Sequence, residues 1–315
     1  MCCSFMGRSQ ATYRVPDVLR PIQILDFVEL AGSTLAAAEA LHLSQPTVSR
    51  HSRRLIHDLG LVSSTGNRDP GALRHGSSAC LQLLRQAAQH HRLMAGAWRL
   101  GSCPWVEAVL PAFNTVVRNP VQLRHDMSWR ILLQAHVLDL VLISGFDLEL
   151  ICPEPLPSDP PITVWGAFAL LPVGSSAMGL LCPPTQPDVL HRWSPIAVPT
   201  DSLAPGLGAM VRQTQWRCRY APKSCHAAGS WAKWLEDVQV PVAATAAWAA
   251  QLERALNSWY WRPWPKPVQD QVWLVALETV WRSHPQLEEL RNQLSGQQQE
   301  FDADSESASR KSRGN

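Results

Sequence analysis

The chain is poor in charge: Asp, Glu, Lys and Arg supply only 17% of its 315 residues, whereas apolar residues supply 46%. That balance excludes a generally disordered chain and leaves ample material for a packed core. No run of about 18 consecutive apolar residues occurs, and Met1 to Val15 lacks the apolar centre of a secretory signal. No membrane span is therefore expected, and the protein is expected to stay in the cytoplasm. The eight cysteines, at 2, 3, 80, 103, 152, 182, 218 and 225, form no C-x-x-C pair, which leaves most of them as buried thiols in a reducing compartment. Cys218, Cys225 and His226 lack a fourth partner at metal-ligand spacing, so neither metal nor cofactor is expected. Also missing are G-x-S-x-G, H-E-x-x-H, the P-loop and G-x-G-x-x-G. His90-His91 and His125-Asp126 are adjacent pairs that point apart, poor partners for acid–base chemistry. An enzyme is not expected.

Lysine is absent from the first 95 residues, which carry ten Arg against six acidic residues, a net +4; the remainder holds 18 basic against 20 acidic, or −2. The length suits a small domain followed by one of roughly 200 residues. From Pro16 to Ala31 apolar residues recur at Leu19, Ile22, Leu25 and Val28, with Gln23, Asp26 and Glu29 between them, the pattern of a helix. Gly32-Ser33 stops it and caps a second helix over Leu35 to His42. After a turn at Leu43-Ser44, Gln45 to Leu59 makes a third, which Gly60 ends. Three such helices make a helix-turn-helix. The turn-rich stretch 61–76 suits a small hairpin, the wing of a winged helix. Residues 77–98 contain no acidic residue and place Leu81, Leu84, Ala88 and His91 on one stripe, as in a helix that joins two domains or pairs with its own copy.

The third helix carries the functional reading. Ser44 can cap it, and Pro46 in its first turn forfeits only a donor without a helical partner. Val48, Ser52, Leu55 and Leu59 share the face that must pack inward, while Pro46, Ser49, Arg50, Arg53 and His57 lie opposite. Gln45, Thr47, Ser49 and Arg50 offer the donors and acceptors that reading a major groove requires near a helix N-terminus. An isolated cluster such as Arg50, Arg53 and Arg54 is ordinarily a solvated helix face, so the arginines alone do not decide the matter.

Residues 32–61 resemble the N-terminal domain of LysR-type bacterial transcriptional regulators. Gly32-Ser33, Ala37-Ala38-Glu39, Leu41, Ser44-Gln45-Pro46, Ser49-Arg50, Leu55 and Leu59-Gly60 follow that family's pattern without a gap. Three departures accompany the matches: Ser52 stands where the family has an aliphatic residue, Ile56 replaces a glutamate, and Ser63-Ser64-Thr65-Gly66 replaces the wing's Leu-Phe-x-Arg. The resemblance implies that Gln45, Pro46, Ser49 and Arg50 face DNA; Thr47, a donor near the helix start, and Arg53, on the same outer face, are expected to join them, and Arg68 stands in for a wing arginine if one residue is deleted nearby.

After Trp98 the pattern alternates in the manner of an α/β domain with parallel strands. A strand is expected up to Gly101, a helix over Trp105 to Val117, and a strand at Val121-Gln122-Leu123. A helix over Met127 to His136 and a buried strand over Val137 to Ile143 follow. Past a proline-rich loop at 153–161, Ile196 to Val198 and Val238 to Ala244 are further strand candidates, and Trp273 to Leu294 is expected as a final long helix. The tryptophans around Trp259, Trp261 and Trp264 are expected in packing or oligomer contact. The family resemblance extends weakly through Trp98 to Ser102, Val109-Leu110-Pro111, Asn119-Pro120-Val121 and Leu138 to Val141. It implies a second domain similar to periplasmic binding proteins, two α/β lobes with a small-molecule cleft. Ligands of open α/β sheets bind beyond the carboxyl ends of strands, which singles out Ser102, Ser144, Thr200 and Ser202 for an effector.

The expected organisation is thus a winged helix-turn-helix over residues 16–76, a linker helix over 77–97, a two-lobed α/β effector-binding domain over 98–295, and a disordered tail over 296–315. It implies a homodimeric or homotetrameric transcription regulator that binds a double-stranded operator and responds to a small-molecule effector. The alternative is a degenerate regulator that serves as a dimeric platform for protein partners and has lost effector sensing.

Overall fold

The computed structural model describes residues 13–62, 73, 75, 78–108, 116–118, 128–152, 163–185, 194–201, 203–222, 225, 230–284 and 287. The expected wing with Arg68, the strand at 121–123, the loop at 153–161, Ser202 and the tail at 296–315 lie outside them, the wing apart from its flanks.

Three helices open the fold: α1 (Arg20–Ala31), α2 (Thr34–Leu41) and α3 (Gln45–Asp58). Their boundaries follow from local chemistry. Gly32 ends α1 at φ 71°, a left-handed conformation that glycine adopts without a steric penalty. Ser33 caps α2 by accepting from the Ala36 N–H at 3.1 Å, and Ser44 caps α3 by accepting from Thr47 N at 3.3 Å. Ile24, Phe27, Val28 and Ala31 of α1 pack with Ala37 and Ala38 of α2 and Val48 of α3. Ser52 is buried there without loss, because its hydroxyl donates to Val48 O at 2.8 Å. Asp26 and Glu29, the polar positions of the α1 pattern, are as buried as the apolar ones. No face of α1 beyond its first turn is left to solvent, which only ion pairing makes tolerable.

Helix α4 (Ala79–Met94) follows, capped by Ser78. Its stripe of Leu81, Leu84 and Ala88 does not await a second copy. Leu81 and Ala88 are buried against Ile22 and Leu25 of α1 and Leu61, with Leu84 packed beside them, and His91 is exposed.

The larger domain comprises β1 (Trp98–Gly101), α5 (Pro104–Glu107), β2 (Val116–Arg118), α6 (Ser128–Gln134), β3 (Leu140–Ser144), α7 (Gly145–Ile151), β4 (Thr163–Trp165) and β5 (Phe168–Cys182). It continues with β6 (Pro195–Val198), α8 (Pro205–Gln213), β7 (Arg217–Tyr220), α9 (Ser230–Val238), β8 (Val242–Thr245), α10 (Ala246–Glu253), β9 (Tyr260–Pro263), β10 (Gln269–Leu277) and α11 (Glu278–Ser283). Among the described residues the strands run in the order β2-β1-β3-β10-β5-β8-β6-β7, with β4 and β9 also paired to β5. The first lobe pairs β1 in parallel with β2 and β3, and the second pairs β6 in parallel with β7 and β8. Strand β5 is long enough to serve both: its first half pairs with β10 and β4, its second with β8 and β9.

Two segments differ from expectation. Val116 and Val117, expected to end a helix, begin the edge strand β2. The long helix expected from Trp273 is instead the strand β10, followed by only the short α11. Val272 to Leu277 is an unbroken apolar run buried between β3 and β5, and such a run has no period that tells a buried strand from a buried helix. Trp259 and Trp264 are buried, the latter edge-on to Trp216 with ring centroids 4.8 Å apart, so these rings pack the second lobe. No helix among the described residues is long and apolar enough to cross a membrane.

Candidate functional site

The outer face of α3 is exposed. Gln45, Pro46, Arg50, Arg53, Arg54 and His57 are exposed, and Thr47 and Ser49 are half-buried. The start of α3 is tied down twice: Ser44 Oγ lies 2.8 Å from Thr47 Oγ1, and Gln45 Nε2 donates to Thr34 Oγ1 of α2 at 3.2 Å. The Gln45 amide is thereby aimed from a fixed base. Arg54 pairs with Asp58 at 3.6 Å, whereas Arg50 and Arg53 make no ion pair among the described residues and keep their charge available to a partner. Two such cations one helical turn apart, beside uncharged donors at the helix start, match what phosphate and base edges require of a docking helix.

This face is held at a fixed attitude to the larger domain by buried charge. Asp26 of α1 accepts from Arg85 Nε of α4 at 2.7 Å through one oxygen and from Arg99 Nη1 of β1 at 2.7 Å through the other. Arg99 also donates to Val137 O, and its guanidinium stacks 5.3 Å from the Phe27 ring. Arg92 of α4 holds Asp139 with both Nε and Nη2, and the second oxygen of Asp139 accepts from Arg99 N at 2.8 Å. Burial, reinforced by the like charge of Arg92, pulls Arg99 below its ordinary pKa, with Asp26 and Asp139 opposing. Glu29 meanwhile accepts from His75 N at 3.0 Å and lies 2.8 Å from its Nδ1. Leu30 completes the junction by packing into the core of the larger domain. Sequence reasoning missed this network, because Asp26 and Glu29 read as the wet side of an amphipathic helix. Their one signal was the two arginines, Arg85 and Arg99, at positions that pattern alone places in packed elements.

The residues singled out for an effector meet differing fates. Ser102 follows β1, is half-buried and turns its hydroxyl to Cys103 O at 3.3 Å; Thr200 follows β6 and accepts from Leu203 N and Ala204 N through its backbone. Ser144 is buried at the end of β3, and its hydroxyl lies 2.8 Å from both oxygens of Asp270. The structure therefore engages Ser144 internally. Nearby the lobes touch directly: α7 packs on α8, Asp147 accepts from Gly206 N at 2.7 Å, and Cys103 Sγ reaches Leu203 O at 3.9 Å.

No family model and no curated protein matches the chain. Among solved structures, OxyR of Corynebacterium glutamicum is similar over 94% of this chain and 96% of its own, at 13% identity and a TM-score of 0.49. CbnR, a LysR family transcriptional regulator, is similar over 89% of this chain and 98% of its own, at 14% identity and a TM-score of 0.43. Full-length LysG of Corynebacterium glutamicum, solved with its effector arginine bound, is similar over 87% and 97%, at 15% identity and a TM-score of 0.40.

Proposed function

We propose that the chain is a sequence-specific DNA-binding transcription regulator of LysR type, with α3 as the helix that enters the major groove. The observation that carries this reading is the outer face of α3, where Arg50 and Arg53, without an ion pair among the described residues, follow the anchored Gln45 and the hydroxyls of Thr47 and Ser49. A regulator is favoured over an enzyme because this face gathers exposed arginines and uncharged donors on one helix. Duplexes selected from a random pool on the full chain should share a sequence, and Arg50→Ala should weaken binding to it by about 1–3 kcal/mol if the guanidinium reads a base. Unchanged affinity with an unchanged salt dependence would place the DNA face elsewhere.

The same reading makes the protein a homo-oligomer that spans two half-sites. With Leu81 and Ala88 covered by α1, the opposite side of α4 offers Cys80, Leu83, Ala87, His90 and Met94 at alternating spacings of three and four. Leu83 and Met94 are 66% and 68% exposed, large values for apolar side chains on a helix. Leu83→Glu should shift the protein toward smaller species in sedimentation and weaken binding to a full site more than to a half-site. A wild-type mass distribution would refute pairing through this face.

A second reading, a regulator that has lost small-molecule sensing, is favoured by one observation. Asp270 already occupies the Ser144 hydroxyl, and the lobes meet at α7 and α8.

A further inference from the structure

We propose that Thr34 is a positioning residue of the DNA face: its hydroxyl fixes which way round the Gln45 side-chain amide is held, and so commits Gln45 to adenine. The inference rests on α3 being the helix that enters the major groove. Thr34 is the first residue of α2 and Gln45 the first of α3. Gln45 Nε2 donates to Thr34 Oγ1 at 3.2 Å across eleven residues of sequence. Both ends of this bond stand on fixed backbone. Ser33 caps α2 through Ala36 N, and Ser44 caps α3 through Thr47 N. The turn between the helices is closed by Leu43 N, which donates to Ala38 O at 2.9 Å, with His42 in the left-handed region at φ 53°.

A glutamine held only by its backbone presents either end of its amide to a base, and the two ends ask for different partners. An outward oxygen accepts from adenine N6 or cytosine N4, whereas an outward nitrogen donates to guanine N7 or O6 or to thymine O4. Gln45 is exposed, so without a tether it would discriminate weakly and would lose the rotamer freedom of a long side chain on binding. The bond to Thr34 removes both defects. Amide nitrogen and oxygen lie on opposite sides of a planar group, so with Nε2 turned to α2 the oxygen Oε1 is turned away from it. Nε2 keeps a second hydrogen. Acceptor and donor side by side match N6 and N7 of adenine; cytosine has no acceptor beside its N4, and guanine offers no donor in the major groove.

Thr34 acts on the base through Gln45 and need not touch it. A threonine that merely braced α2 against α3 would alter stability and overall affinity, whereas one that orients the amide alters the choice of base at a single position. The two roles are separated by base preference, and by whether serine, which keeps the hydroxyl and lacks the methyl, can replace threonine.

The experiment selects duplexes from a random pool on the full-length wild type and on Gln45→Ala; the base pair at which the alanine variant becomes indifferent is the one that Gln45 reads. Affinities are then measured for four duplexes that differ only at that pair. The wild type should prefer adenine. Thr34→Val, nearly the same shape without the hydroxyl, should reduce that preference by at least about fivefold, the lower end of what a bidentate contact contributes, and leave the preferences at other positions unchanged. Thr34→Ser should restore it. In the Gln45→Ala background Thr34→Val should change nothing at that pair, the mark of coupling through the amide. Should the valine variant fail to reach the wild-type denaturant midpoint, Thr34→Ala takes its place. A Gln45→Ala variant that keeps every preference, a preferred base other than adenine, or an adenine preference that survives loss of the hydroxyl would overturn the role of Thr34 and leave α3 as the reading helix. Failure of the wild type to select any shared sequence would overturn both.

Discussion

Asp26→Ala should cost the folded chain about 3–5 kcal/mol, because it leaves two guanidinium groups buried without their anion. Arg85 and Arg99 are each almost wholly buried and each donates at 2.7 Å to a different oxygen of Asp26. Arg85 has little in reserve, since its Nη2 finds no partner among the described residues even with Asp26 in place. The loss should appear as a lower denaturant midpoint for the whole chain rather than for the first three helices alone, since α1, α4 and β1 meet at this carboxylate. The network is not required as a source of stability in itself. Replacing all three members at once, with Asp26→Val, Arg85→Met and Arg99→Leu, should recover most of the loss, because apolar groups of similar volume incur no desolvation penalty. What the triple variant should lose is the fixed attitude of α3 to the larger domain, seen as faster proteolysis between residues 62 and 78. A loss below about 1 kcal/mol for Asp26→Ala would mean that the arginines reach water and that the domains are not joined through this carboxylate.

The same network marks the boundary of what the amino-acid sequence discloses. The ends of α1, α2 and α3 were legible to within a few residues because each is written locally, in Gly32, Ser33, Ser44 and Pro46. The outer face of α3 was legible for the same reason, since a helical period sorts Val48 and Ser52 from Arg50 and Arg53 within a single element. Asp26 was not, because its partners stand 59 and 73 residues away and nothing near it announces them. Ser144 shows the limit from the other side. Its place at the end of β3 was read correctly from the apolar run before it, but Asp270, which its hydroxyl contacts, lies 126 residues further on. The stripe of α4 was recognised as apolar, and its cover was not, since a stripe specifies a partner surface without saying whether that surface belongs to the same chain.

Strand β10 is where the structure departs furthest from the sequence pattern, and Leu274→Ala tests its place. As the wall of a terminal helix Leu274 would face the domain on one side only, and its truncation would be partly relieved by collapse of the helix onto the gap. As a residue of β10 it is fully buried and stands in register between Leu142 of β3 and Leu171 of β5, both also buried. Cross-strand neighbours on one face of a sheet pack side by side, and the backbone hydrogen bonds of three strands prevent them from closing a void. The expected loss is therefore in the upper part of the range for such truncations, about 2–5 kcal/mol, visible as a lower denaturant midpoint at unchanged slope. Val18→Ala, exposed before α1, should stay within about 0.5 kcal/mol and serves as the surface reference. Because β10 carries Asp270 and pairs with the half of β5 that leads into the second lobe, the loss should be shared by both lobes. One cooperative transition, shifted as a whole, is the expected trace. A loss below about 1 kcal/mol, or a second transition in which one lobe melts at its wild-type midpoint, would show that β10 is not the strand on which the two lobes are jointly built.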